Sequence, residues 1–152
     1  MTSYDKLYEA ILPKFKNFDI PVMTIEQVED MLHDFLAPAI AKFHVCRTNL
    51  EDRDEENKCF NQDLSTEEIE ILTNYMLIGY TDAEYIQTPT LLKLHLTSSD
   101  FHALKAETML NRLMEMHDYY IRENDTWLSR YSWKDAYNRG KRLGSSGYRK
   151  NY

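Results

Sequence analysis

The chain has 152 residues, 25 acidic against 18 basic, a formal net charge of −7, four glycines, four prolines and two cysteines. That length supports one domain with a real core, the scarcity of Gly and Pro argues against a sandwich or barrel, and two cysteines are too few for a disulfide framework. No signal-peptide pattern opens the chain and no apolar run approaches the ~20 residues that span a bilayer, so a soluble protein with no membrane partner is expected.

Ser3 is a plausible N-cap for a first helix whose apolar face is Tyr4, Leu7, Tyr8, Ile11, Leu12 and Phe15. Pro13 falls inside that pattern and predicts a kink or break near Leu12. Phe18 to Met23 reads as a connector. Thr24 and Gln27 have capping-box spacing and open a second helix, with Ile25, Val28, Met31, Leu32, Phe35 and Leu36 on its buried face. Pro38 is expected to kink or divide it.

Arg47 to Lys58 is the most polar block of the body and reads as a solvated loop or hairpin tip. His44–Leu50 and Lys58–Leu64 could pair as short strands across it, a short β-hairpin within about 44–64. Its acidic residues are Glu51, Asp52, Asp54, Glu55 and Glu56. Ser65 and Glu68 form a second capping box, and a third helix should reach roughly Tyr85. Thr88 and Pro89 open a short fourth helix over Pro89–Leu96, and Thr97–Phe101 is a turn.

Leu104 to Tyr131 is the longest and cleanest helical pattern. Met109, Leu110, Leu113, Tyr120, Ile121, Trp127, Leu128 and Tyr131 recur at helical spacing with no Gly or Pro between them. The other elements are expected to pack around this helix, with Leu113 and Ile121 buried against the third. The predicted fold class is therefore mainly α: a bundle of four to five helices around one long helix at about 104–131, forming a helical body over 1–132.

A different segment follows. From Arg130 to Tyr152 there are seven Lys or Arg and one Asp, a net +6, whereas the remainder carries −13. Too few apolar residues follow Tyr131 to fold alone, so 133–152 is expected to be an extended basic and aromatic arm. Its candidate partner-binding residues are Trp133, Tyr137, Arg139, Lys141, Arg142, Tyr148, Arg149 and Tyr152. Aromatics and Arg dominate interface hot spots. Such an arm could also bind nucleic acid, which makes a small helical regulatory module with a DNA-binding tail the alternative reading.

Catalytic signatures fail: there is no phosphate-binding loop, no GxGxxG and no GxSxG. His44, Cys46 and Cys59 do not arrive as the close ligand pairs of a zinc site, and Glu51 to Glu56 lacks the central Gly and ligand register of a calcium loop. No catalytic residue, metal or cofactor is expected. His117 lies on the apolar face of the long helix, where a hydrogen-bonded core histidine is expected.

Several stretches resemble a group of small helical tailed-phage proteins of the head–tail connection. They are Ser3-Tyr-Asp5, Phe35-Leu-Ala-Pro-Ala-Ile-Ala-Lys-Phe43, Asn49-Leu-Glu-Asp-Arg-Asp-Glu55, Phe60-Asn-Gln-Asp-Leu-Ser-Thr-Glu-Glu-Ile-Glu-Ile-Leu72, Leu91-Leu-Lys-Leu94, Asp100-Phe101 and Tyr131-Ser-Trp133. Order and spacing match over roughly residues 3–133. The chain departs from that pattern at the end of the Tyr75–Tyr85 segment, which lacks a Trp-Leu pair, and it extends further past Tyr131. The resemblance implies a non-enzymatic adaptor that forms a homo-oligomeric ring, of 12 subunits by family analogy. Such a ring docks under the portal protein, meets the tail or the next neck ring, and passes double-stranded DNA without sequence preference, which makes Glu51, Asp52, Asp54, Glu55 and Glu56 candidates for a ring surface or a channel lining. Its expected location is the virion neck, and the host cytoplasm during assembly.

Overall fold

The structure, a computed structural model, describes residues 1–17, 23–83 and 100–145. The expected connector at Phe18–Met23 falls mostly outside these residues. The expected helix Pro89–Leu96, the end of the third helix near Tyr85 and most of the turn Thr97–Phe101 lie outside them as well. The described chain is mainly helical with a small antiparallel sheet. In order come β1 (Thr2–Ser3), α1 (Tyr4–Ile11), a 3-10 segment (Leu12–Asn17), α2 (Ile25–Lys42), β2 (Arg53–Asp54), β3 (Cys59–Phe60), α3 (Thr66–Thr81) and α4 (Asp100–Ser145).

Helix α1 buries Tyr4, Leu7, Tyr8 and Ile11, one stripe at helical spacing. It stops where Pro13 predicts, and the tighter 3-10 turns that follow carry Phe15 into the core. They also deliver Lys14 to α3, where its ammonium donates to Glu70 at 2.8 Å and Asn74 at 2.6 Å. Both capping boxes form: Thr24 with Gln27 on α2, and Ser65 with Glu68 on α3. Pro38 does not divide α2, which runs unbroken from Ile25 to Lys42. Pro38 and Asp34, the residue whose carbonyl loses its helical donor, are both exposed, so water can satisfy that carbonyl.

The hairpin exists within the expected range, but its first strand is Arg53–Asp54 and not His44–Leu50. Arg53 pairs with Phe60 and Asp54 with Cys59. A third strand was not foreseen: Thr2 pairs with Phe60 and Ser3 with Cys59, giving the order β1-β3-β2. Two-residue strands carry no alternation to read, and only tertiary contact specifies them. Lys58 closes the turn with φ 48°, and its carbonyl accepts from the Tyr4 backbone N–H at 2.8 Å.

The long helix is not the centre of the fold. The hub is α3, which buries Ile71, Leu72, Thr73, Met76, Leu77, Ile78, Tyr80 and Thr81 against its neighbours. Helix α2 runs antiparallel to it, with Phe35 against Tyr80 at 5.7 Å and Phe43 against Tyr75 at 6.3 Å between ring centroids. Gly79 permits that approach, since a Cβ there would sit 3.3 Å from Phe35. Helix α4 lies on another side of α3, also antiparallel. His117 Nδ1 lies 3.0 Å from the Thr81 hydroxyl, and Tyr131 meets Glu68 thirteen residues earlier on α3.

Within the described side chains of α4, only Tyr131 and Asn124 are buried; Leu113, Tyr120, Ile121, Trp127 and Leu128 are half-buried. The apolar pattern of α4 is helical, as its spacing predicts, but among the described elements α4 packs mainly on α3, whereas α3 is packed by α1, α2 and α4. Asn124 is 1% exposed, and neither its amide nitrogen nor its amide oxygen has a hydrogen-bond partner. An unpaired buried amide is costly. Asn124→Leu, similar in volume, is expected to raise stability by about 1 kcal/mol, read as a higher urea midpoint at unchanged slope.

Helix α4 does not end at Tyr131 but continues through Ser145, so Trp133–Ser145 is helical and not extended. Once a helix is nucleated, each added residue needs no new nucleus. Lys134 pairs with Glu67 at 2.8 Å, and Arg139 pairs with Asp135 one turn earlier, a spacing that supports helix. The 46 residues make a rod about 69 Å long. Among the described residues no helix is long and apolar enough to cross a membrane.

Candidate functional site: the basic helix end and its latch

The C-terminal third of α4 is held to the body by one dense polar cluster. Tyr131 inserts between α3 and the loop after α2, with its ring edge-on to Phe43 at 5.6 Å. Its hydroxyl donates to Glu68 Oε1 at 2.6 Å and accepts from the Arg47 backbone N–H at 2.8 Å. The Arg47 guanidinium lies 4.2 Å from the Tyr131 ring centroid, donates to the Tyr131 carbonyl at 2.7 Å, and reaches Asp135 at 3.4 Å. One arginine therefore grips α4 through ring, backbone and carboxylate together.

Glu68 anchors the other side. It is 4% exposed and accepts from the Ser65 N–H at 2.8 Å, the Ser65 hydroxyl at 2.9 Å and the Thr48 hydroxyl at 3.1 Å, besides Tyr131. Burial is the largest single influence and pushes its carboxyl up. The hydrogen bonds from Tyr131, Ser65 and Thr48 together outweigh it and hold the group below its ordinary range. The Cys46 thiol also points at Glu68, at 3.5 Å, and burial followed by that carboxylate pushes it up to about 12. It is a protonated, inert thiol at neutral pH.

Beyond the latch the helix presents its candidates. Trp133 is 77% exposed and Tyr137 68% exposed. Lys141 is exposed, and Arg139 is exposed but engaged with Asp135. Arg142 continues the helix. Tyr148, Arg149 and Tyr152 lie outside the described residues. Two shallow grooves run along the same outer side of α4. One of about 410 Å³ is lined by Tyr119, Arg122, Glu123, Thr126, Trp127 and Arg130, and the next, about 370 Å³, adds Asp125, Ser129 and Trp133.

The acidic block is at the surface, as expected, but most of its members already hold the hairpin. Asp54 accepts from the backbone N–H groups of Glu56 and Asn57, both at 3.0 Å, and from the Asn57 amide at 2.6 Å. Asp52 accepts from Asn61 at 2.7 Å and Gln62 at 3.2 Å. The Asn61 bond above all holds the Asp52 carboxyl below its usual value, and the Asn57 bonds do the same for Asp54. Glu51 and Glu55 clamp Arg53 at 3.1 and 2.6 Å. Glu56 is exposed. Five carboxylates around one guanidinium leave the block negative.

Arg47 and the second role of Glu68 were missed by sequence reasoning. The capping box marked Glu68 as a helix-start residue, but nothing marked its meeting with Tyr131, which is 63 positions away. Cys46 and Cys59 are free thiols, and among the described residues no group of three or more His, Cys, Asp or Glu is placed to hold a metal ion. The arrangement presents an aromatic and cationic surface on a rigid, latched rod. No family model matches the chain, and no curated protein or solved structure does so either.

Proposed function

We propose that this protein is a head–tail connector subunit of a tailed phage: a non-enzymatic adaptor that forms a homo-oligomeric ring, docks on the portal and belongs to the DNA channel of the virion neck. The motif resemblance over residues 3–133 supports this reading. The observation that carries it is the end of α4. The helix leaves the body after the Arg47–Tyr131–Glu68 latch and carries Trp133 and Tyr137 with most of their surface in solvent, a combination suited to a hot spot on a partner. The negative hairpin fits a surface past which DNA slides without sticking. Lys134 faces Glu67 and Arg139 faces Asp135, so part of the positive charge that a DNA-binding tail would offer already has carboxylates beside it.

The test is co-sedimentation with portal rings of the full chain and of a Trp133→Ala/Tyr137→Ala double variant. Both side chains are exposed, so helix content should not change. The expected loss of portal affinity is roughly tenfold or more, the scale of hot-spot truncation. Equal binding by both proteins would assign the contact to the body. Duplex DNA binding that falls steeply with salt, without portal binding, would instead favour the nucleic-acid-binding module.

A further inference from the structure

A second surface has the chemistry that the last residues of the chain match. Between α1 and α2 lies an open cleft of about 370 Å³. Its apolar floor includes Leu12, Met23 and Ile25, which are 44%, 37% and 79% exposed. Its rim carries Asp5, Glu9 and Glu29, and among the described residues no Lys or Arg lines it. The nearest cation engagement is Lys58 with Glu29, a long contact of 3.5 Å. Burial, and next the negative charge of Glu29, push the Tyr8 phenol beside the cleft up to about 12. Such a cleft suits a segment that offers aromatic rings to the floor and positive charge to the rim.

Residues 146–152 are Ser-Gly-Tyr-Arg-Lys-Asn-Tyr: two aromatics and two cations, with no acid. The end of α4 at Ser145 lies too far from the cleft of the same chain for seven residues to bridge the gap. Helices α2 and α4 both run antiparallel to α3 and hence parallel to each other. Arg47, just past the end of α2, meets Asp135 on α4. From that level, α4 continues about 15 Å outward to Ser145, while the cleft lies about 20 Å back along α2, near Val28. The separation is about 35 Å, and seven extended residues span at most ~25 Å.

We infer that the α1–α2 cleft is the docking site for residues 146–152 of a second copy of this chain, with Tyr148 and Tyr152 on the apolar floor and Arg149 and Lys150 against Asp5, Glu9 and Glu29. The contact is heterologous, tail of one subunit into cleft of the next, and such contacts close into rings when the rotation between copies permits. The inference rests on the ring reading and names the contact between its subunits. It leaves Trp133 and Tyr137, on the helical part, for the portal.

The test is charge exchange in the full chain. One variant carries Arg149→Glu and Lys150→Glu; the other carries Glu9→Lys and Glu29→Lys. Glu9 is exposed and Glu29 half-buried, and circular dichroism checks the fold of each variant. In sedimentation velocity at low salt the native chain should self-associate. Each variant alone should associate at least about tenfold more weakly, and their equimolar mixture should recover association, since reversed tail now meets reversed cleft. A native chain that stays monomeric, a tail variant that associates like the native chain, or a mixture that shows no recovery would each overturn the inference. Portal co-sedimentation separates it from the ring reading: a tail-reversed chain should still bind portal through Trp133 and Tyr137, and failure of portal binding in the native chain would strike the connector reading while leaving the self-association result standing.

Discussion

Glu68→Ala is expected to destabilise the protein by about 2–4 kcal/mol, because it removes a buried acceptor shared by Tyr131, Ser65 and Thr48 and leaves the Tyr131 hydroxyl short of its partner. Glu68→Gln keeps the volume but loses the charge, so its cost should be smaller. The effect depends on pH in a definite direction. The folded carboxyl titrates below its ordinary value of 4.5, so in the window between the two values the unfolded chain binds the proton first. The stabilisation is therefore complete above about pH 4.5 and is lost as pH falls through the folded value. Urea midpoints of native and Glu68→Gln chains should differ at pH 7 and converge in acid. A gap that stays constant down to pH 3 would show that the charge of Glu68 contributes nothing. Loss of the latch should also free α4 after Trp127, seen as faster amide exchange in that part of the helix.

Leu72→Ala should cost on the order of 2–5 kcal/mol, since Leu72 is fully buried in the helix that the other elements surround. Against a total stability of about 5–15 kcal/mol for a domain, that is enough to lower the thermal midpoint by several degrees or to prevent folding. Leu113→Ala and Ile121→Ala on the long helix should cost clearly less, because both side chains are only half-buried. The comparison by urea denaturation tests which helix is the hub. A Leu113→Ala cost equal to that of Leu72→Ala would return the centre of the fold to α4.

Local signals decided the elements. The face of α1, its end at Pro13, both capping boxes and the helical character of the long segment are short-range effects, set by side-chain spacing, the missing proline N–H and a hydroxyl three residues from a backbone donor. These could be read from the chain, as could the exposed, negative character of Glu51–Glu56 and the basic, aromatic character of the C-terminal segment. Other features could not be read. Apolar periodicity reports that a face is covered but not by how many neighbours, so the longest pattern points to α4 as the centre, whereas α3 is the element enclosed on several sides. Loss of apolar period after Tyr131 reports the end of packing and not the end of the helix. The chain stays helical to Ser145 because extension is cheap once α4 exists, and because Lys134 and Asp135 find partners on α3 and in the loop after α2. The β1 strand and the Arg47–Tyr131–Glu68 latch join residues 56 to 84 positions apart. No local propensity encodes such meetings; they exist only once α1, α2 and α3 have packed and brought those groups within hydrogen-bonding distance.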